Sequence, residues 1–266
     1  MAGRLAGKVA LVCGAGSIAE GWGNGKATAV AFAREGARVF AVDRDDAAAR
    51  QTVEIIRDEG LEAVAHVADI ADGAQVAAMV AACRHAFGRI DILHNNVGIA
   101  GLGDPIDTPE ALWERVMRVN VTGMFLTCKH VLPVFLDQGG GAVVNVSSLS
   151  AVKAIRPEVA YATSKGAVNA FTINVAMSYA DRNIRCNAIV PGLIDTPMVA
   201  TFLRDQHGGD VAELVRSRDA LSPTGRMGKA WDVANAAVFL ASDEARYING
   251  VLLHVDAGLQ HSFTAG

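Results

Sequence analysis

The sequence predicts an α/β fold, a single doubly wound parallel sheet of about seven strands with helices on both faces. Three observations lead there. Short β-branched, apolar runs recur along the chain, too continuous for strands with one solvated face. Alanine-rich stretches of helical length separate them almost throughout. The 27 glycines have no three-residue period, which excludes collagen, and several follow directly on an apolar run. In order, the strand Val9–Cys13 (VALVC) precedes a glycine cluster and a helix over Lys26–Glu35. The strand Arg38–Asp43 and the helix Asp46–Glu59 follow, then the strand Ala63–Val67 and the helix Ala74–Phe87. Next come the strand Ile90–Asn95, a long helix near Pro109–Leu136 and the strand Ala142–Val146. A helix over Val159–Tyr179, the strand Ile184–Val190 and a late strand Val251–Val255 complete the pattern. Pro197–Lys229 breaks the rhythm with mixed charges, and residues 1–266 therefore read as one domain carrying a flap at about 197–229.

Composition narrows the function classes. The chain has 266 residues, 51% of them hydrophobic, which excludes intrinsic disorder. Its formal charge of −4 lacks the basic excess of a nucleic-acid binder. Cys13, Cys83, Cys128 and Cys186 form no CxxC pair, so neither a zinc site nor a disulfide framework is expected, and a reducing, cytoplasmic setting fits. Met1–Gly7 holds no signal-type apolar segment, and no run of about 20 apolar residues predicts a membrane span. Cys83/His85 and Cys128/His130 are each two apart on helices and cannot share a face, so no metal is expected.

Two constellations carry chemistry. Gly14, Gly16, Gly21, Gly23 and Gly25 lie between a strand and a helix, where the backbone can turn sharply and bring a pyrophosphate to a helix N-terminus. Asp43 closes the second strand 18 residues after Gly25, near the offset of about 20 at which an acidic side chain accepts bonds from ribose hydroxyls. An Asp there repels a 2′-phosphate and favours NAD over NADP, although Arg44 next to it could hold that phosphate. Tyr161 and Lys165 are spaced i, i+4, which puts them on one helix face. An ammonium beside a phenol favours phenolate and tunes the tyrosine for proton exchange with an alcohol or carbonyl.

With these residues in view, the chain resembles the short-chain dehydrogenase/reductase family, in its YxxxK branch, from Lys8 to about Gly258. The ordered motifs are the glycine loop, Asp69-Ile70, Asn95-Asn96-Val97-Gly98, Asn120, Asn145-Val-Ser-Ser148, Tyr161 with Lys165, and Pro191-Gly192 through Thr196. The resemblance implies a Rossmann-type fold and an NAD-dependent oxidoreductase interconverting a secondary alcohol and a ketone. In it Tyr161 is the acid/base and Ser148 holds the reacting oxygen. Lys165 lowers the tyrosine pKa and binds the nicotinamide ribose, and Asn120 positions a relay water. Gly14, Gly23 and Gly25 would hold the phosphates, while Asp69 and Ile70 would frame the adenine. Asn96 and Gly98 would line the cofactor, and Pro191, Gly192, Ile194 and Thr196 would hold its carboxamide end. A homotetramer is implied, with helices around Asn120 and Ala170 and the last strand as contacts, and Trp113 and Met117 packing nearby.

Departures from the family pattern leave alternatives open. Gly23 lies nine positions after Gly14, against four in TGxxxGxG, and Cys13 and Val97 replace the usual threonine and alanine. Ser17-Ile-Ala resembles the loop of enoyl-thioester reductases, whose wider Tyr–Lys spacing differs from YxxxK. An NADPH-dependent carbonyl or 3-oxoacyl-thioester reductase is one alternative, and a non-catalytic dinucleotide-sensing protein a remoter one. Lys153, Arg156 and Glu158 read either as a solvated loop or as a substrate wall. From the flap residues Met198, Phe202, Arg204, His207, Arg216 and Arg218, an arginine could bind an anionic substrate.

Overall fold

The computed structural model describes residues 3–154, 157–199, 201 and 211–262. Seven strands form the main sheet: β1 (Val9–Cys13), β2 (Arg38–Asp43), β3 (Ala63–Val67), β4 (Ile92–Asn95), β5 (Gly141–Val146), β6 (Ile184–Pro191) and β9 (Leu252–Val255). All are parallel and run in the order β3-β2-β1-β4-β5-β6-β9. A separate two-residue pair, β7 (Ile194–Asp195) with β8 (Gly228–Lys229), joins the chain after β6 to the segment before the last long helix. Strand order reverses at β1, which pairs with β2 on one side and β4 on the other. A crevice opens beyond the carboxyl ends of the strands at such a reversal.

Alternation along each strand sorts the core into two layers. In β1, Ala10 and Val12 face one layer, and Val9, Leu11 and Cys13 the other. The first layer is covered by α1 (Asn24–Arg34), α2 (Asp46–Asp58) and α8 (Ala230–Ala241), whose Phe32, Ile56 and Leu240 are fully buried. The second is covered by α3 (Gly73–Phe87), α5 (Gly123–Gln138) and α6 (Val159–Ser178) through Met79, Phe135 and Val175. Asp45 and Asp72 cap α2 and α3 by accepting first-turn N–H groups, as their side chains predict. The remaining helices are α4 (Glu110–Met117) and α7 (Val211–Leu221).

Two elements depart from expectation. The stretch read as one helix near Pro109–Leu136 is α4 and α5 joined by a π turn over Arg118–Thr122, where Gly123 N–H donates back to Arg118 C=O. Its length and apolar composition would suit a membrane span, but Cys128, Val131 and Phe135 are buried in the core. The fourth strand begins at Ile92 rather than Ile90 because Ile90 N–H and C=O bond the Gln138 side-chain amide instead of a neighbouring strand.

Candidate active site

The crevice is a cavity of about 510 Å³. Its walls bring together all the expected cofactor residues: Gly14, Gly23, Gly25, Asp43, Asp69, Ile70, Asn96, Gly98, Pro191, Gly192, Ile194 and Thr196. Ser148, Tyr161 and Lys165 line it as well.

The glycine loop is shaped by what a side chain would strike. Gly14 adopts a φ of +78°, and a Cβ on Gly25 would fall 1.8 Å from Gly14 O. Asn96 Nδ2 donates to that same carbonyl at 3.0 Å, so this predicted cofactor residue also pins the loop. Gly23 caps α1 without any side-chain bond, and its neighbours Asn24 and Gly25 line the cavity. A helix end of this kind presents N–H donors and positive dipole to an anion. The extra residues Ser17–Gly21 form an exposed bulge at the cavity rim, with Ser17 and Ile18 lining the cavity and Ile18 65% exposed. Trp22 then stacks on Trp231 of α8 at 4.8 Å, and Lys26 Nζ lies 5.3 Å from the Trp22 ring, which ties the enlarged loop to the body.

Asp43 stands at the end of β2 with Oδ2 accepting from Gly16 N–H at 3.0 Å and Oδ1 from Asp45 N–H at 3.1 Å. These bonds fix the carboxylate at the cavity wall beside Arg44. Gly16, named in the glycine cluster but not among the glycines singled out for the phosphates, also lines the cavity. A Cβ there would meet Asp43 Oδ2 at 2.8 Å. A glycine cradle under a helix terminus, closed by an acidic strand end, fits a dinucleotide.

The reacting groups sit on β5 and α6. Lys165 is 2% exposed, and its Nζ donates to Val146 O at 2.8 Å. Burial pulls its pKa down from 10.5 to about 8. Its Nζ lies 5.7 Å from the Tyr161 ring centroid, and a Cβ on Gly98 would approach it to 3.1 Å. Ser147 Oγ donates to Lys165 O at 3.2 Å, locking the serine turn to α6. Ser148 Oγ accepts from Ser150 N–H at 3.2 Å, so its own O–H can donate toward a substrate oxygen.

Asn120 lies buried within the π turn. Its Oδ1 accepts from Ile99 N–H at 2.8 Å, and its Nδ2 donates to Ile99 O and to Ser164 Oγ, both at 2.9 Å. The side chain therefore ties the loop after β4 to α6. A π turn has no sequence signature, so this could not be read in advance. A second buried network went unread. Asn95 Nδ2 donates to Asn145 Oδ1 at 3.0 Å, Thr127 Oγ1 to Asn95 Oδ1 at 2.8 Å and Asn145 Nδ2 to Thr172 Oγ1 at 2.9 Å. It fastens α5 and α6 to the sheet just behind the site. Asn95 and Asn145 each close an apolar strand within a family motif, and a polar side chain at that place on two adjacent strands was the available signal.

The three charged residues between Ser148 and Tyr161 separate. Lys153 Nζ donates to Leu259 O and Ser262 O, each at 2.7 Å, so it clamps the C-terminal segment and lies away from the cavity. Glu158 is buried at 4% exposure and lines the cavity. Arg156 lies outside the described residues, as do Phe202, Arg204 and His207 of the flap. Met198 and Arg218 line the cavity, whereas Arg216 is exposed and does not. Among the described residues no cluster of His, Cys, Asp and Glu could hold a metal ion.

A dinucleotide cradle leading to a serine, tyrosine and lysine defines a nicotinamide-dependent oxidoreductase site on a doubly wound sheet. The family model described as enoyl-(acyl carrier protein) reductase matches residues 18–260. The chain is 42% identical over 253 residues to 2-(R)-hydroxypropyl-CoM dehydrogenase of Xanthobacter autotrophicus, covering 94% of this chain and 97% of that one. It is 36% identical over 260 residues to levodione reductase of Leifsonia aquatica, covering 96% and 95%. A short-chain dehydrogenase/reductase structure from Burkholderia xenovorans superposes with a TM-score of 0.95 at 47% identity, covering 99% of this chain and all of that one. This chain belongs to the short-chain dehydrogenase/reductase family. It is an NAD(P)-dependent oxidoreductase acting on a CH–OH group.

Proposed function

We propose that the protein is an NAD-dependent dehydrogenase/reductase that interconverts a small secondary alcohol and its ketone, with Tyr161 as acid/base. The observation that carries the reading is the buried Lys165 beside the Tyr161 ring, facing Ser148 across one cavity with Asp43 at its far end. NAD supplies the hydride acceptor in this chemistry. The protein supplies position and proton management. Ser148 O–H holds the reacting oxygen against the Tyr161 phenolic oxygen, which as phenolate takes the proton during alcohol oxidation and as hydroxyl returns it during reduction. Lys165 favours the phenolate by its charge. Because burial lowers its own pKa to about 8, it also releases a proton near neutral pH at small cost. Asn120, buried in the π turn with its side chain bonded to Ile99 and to Ser164 of α6, is the residue that positions a relay water for Lys165 in this reading.

Asp43 supports NAD over NADP, since a fixed carboxylate at the ribose end repels a 2′-phosphate. Spacing of Tyr161 and Lys165 by one helical turn favours carbonyl over enoyl-thioester chemistry. Phe125, Ile173 and Met177 expose apolar side chains on α5 and α6, which suits assembly as a homotetramer through those helices. The four buried free thiols suit a reducing, cytoplasmic compartment. The test is a panel of secondary alcohols with NAD and NADP, read at the reduced-cofactor absorbance band, alongside NADH and NADPH titrations. Turnover with NAD and tighter NADH binding are expected. Tighter NADPH binding overturns the cofactor assignment, and no turnover with either cofactor overturns the activity.

A further inference from the structure

A lysine outside the cavity fastens the segment after β9 to the turn that carries Ser148. Beyond β9 the Asp256 carboxylate accepts from Gly258 N–H and Gln260 N–H, each at 2.9 Å, and the chain curls into a short helical turn over Leu259–His261. The last carbonyls of a helical turn lack partners within it. Lys153 Nζ supplies one, donating to Leu259 O and Ser262 O at 2.7 Å and to Ser262 Oγ at 3.2 Å. An ammonium has three donors, and this segment takes all of them. A cation also suits the negative end of a helical turn.

The Ser148 turn is held from beneath by the same segment. Leu149, next to Ser148, is fully buried in a cluster with Leu193, Met227 and Leu259, against which Val215 of α7 packs. Leu149 and Leu193 line the cavity, whereas Met227 and Leu259 do not and back that wall. The turn itself is one hydrogen-bonded unit. Ser150 N–H donates to Ser148 Oγ at 3.2 Å, Ala151 N–H to Ser148 O at 3.0 Å and Lys153 N–H to Leu149 O at 2.9 Å. Packed interiors transmit displacement rather than absorb it, so a shift at Lys153 or Leu259 reaches Ser148. The phosphate and ribose walls are built by β1, β2 and α1, which give no residue to this cluster.

We propose that Lys153 is a positioning residue for the reaction: by fastening Leu259–Ser262 behind Leu149, it sets the place of Ser148 against the reacting oxygen. This rests on the dehydrogenase reading above and deepens it, since Ser148 is the group being placed. A misplaced Ser148 slows the chemical step and leaves the dinucleotide cradle intact. A merely structural lysine would change how much protein is folded and not the turnover of each folded molecule.

The test measures kcat and KM for wild type, Lys153→Met, Lys153→Arg and Leu259→Ala with NAD and the best secondary alcohol of the panel above. Each rate is divided by the concentration of sites titrated with NADH. Lys153→Met should lose about 10–100-fold in kcat per NADH-binding site, the scale of a misplacement of about 1 Å at the chemistry. Its NADH affinity should change by less than about threefold. Lys153→Arg still donates to the two carbonyls and should recover most of the loss, while Leu259→Ala should lose kcat in the same way. Hydrogen exchange at the amides of Ser150–Lys153 reads the link without turnover. It should speed up on the order of tenfold in Lys153→Met and Leu259→Ala. Wild-type kcat per site in Lys153→Met, or a fall in NADH affinity that matches the fall in kcat, overturns the proposal while wild-type turnover upholds the dehydrogenase reading. Turnover of no alcohol by the wild type sinks that reading and this inference with it. Should Lys153→Met fail to fold, Leu259→Ala decides, and wild-type kcat per site in it overturns the proposal.

Discussion

Lys165→Met is the perturbation with the best-defined physical signature. In the folded protein burial lowers the lysine pKa from 10.5 to about 8, so the native state binds fewer protons than the unfolded chain between these values. Stability therefore rises with pH through that window, because the unfolded state holds the extra proton. That difference is worth about 3 kcal/mol, of which roughly 2–3 kcal/mol falls between pH 7 and pH 10. For a chain of this size that corresponds to roughly 5–10 °C in Tm. Loss of the 2.8 Å bond to Val146 O adds an offset that does not vary with pH. Thermal unfolding of wild type and Lys165→Met, without cofactor, at pH 7, 8.5 and 10 separates the two effects. The wild type should gain on the variant by that amount as pH rises, since only it carries the buried ammonium at pH 7. A difference in Tm that stays flat across this range would refute the desolvated lysine and with it the proton-release role.

Two further substitutions probe the cofactor end. Gly25→Ala forces a Cβ to within 1.8 Å of Gly14 O and should cut NADH affinity at least about tenfold by displacing the loop, as overpacking distorts backbone. Wild-type affinity by fluorescence titration would show that the cradle does not need that approach. Asp43→Asn removes the fixed negative charge while retaining an acceptor. NADH affinity should fall about 10-fold and NADPH binding should improve, consistent with loss of a charge-assisted bond. Unchanged discrimination between the two cofactors would locate the preference elsewhere.

Strands were the most legible part of the chain, because burial on both faces leaves an uninterrupted apolar run too short for a helix of the core. β1, β2 and β3 fall on the expected residues. The Gly–strand–helix context likewise placed Gly14, Gly25 and Asp43 on one cavity wall. What escaped depends on contacts between residues distant in sequence. The π turn at Asn120 leaves the helical periodicity nearly intact, and the β7–β8 pair joins segments more than thirty residues apart. Lys153 and Glu158 were indistinguishable as charged residues of one turn. Only the C-terminal carbonyls that capture Lys153, and the Ser150 hydroxyl that meets Glu158, assign one to structure and the other to the cavity.

The most direct measurement is steady-state turnover of Tyr161→Phe with NAD and the best secondary alcohol, paired with NADH titration of the same variant. Removing only the phenolic oxygen should lower kcat by about 10²–10⁴-fold, the range for a positioned acid/base, while NADH affinity changes less than about threefold. A variant that binds NADH normally and still turns over within about tenfold of wild type would contradict Tyr161 as the proton carrier.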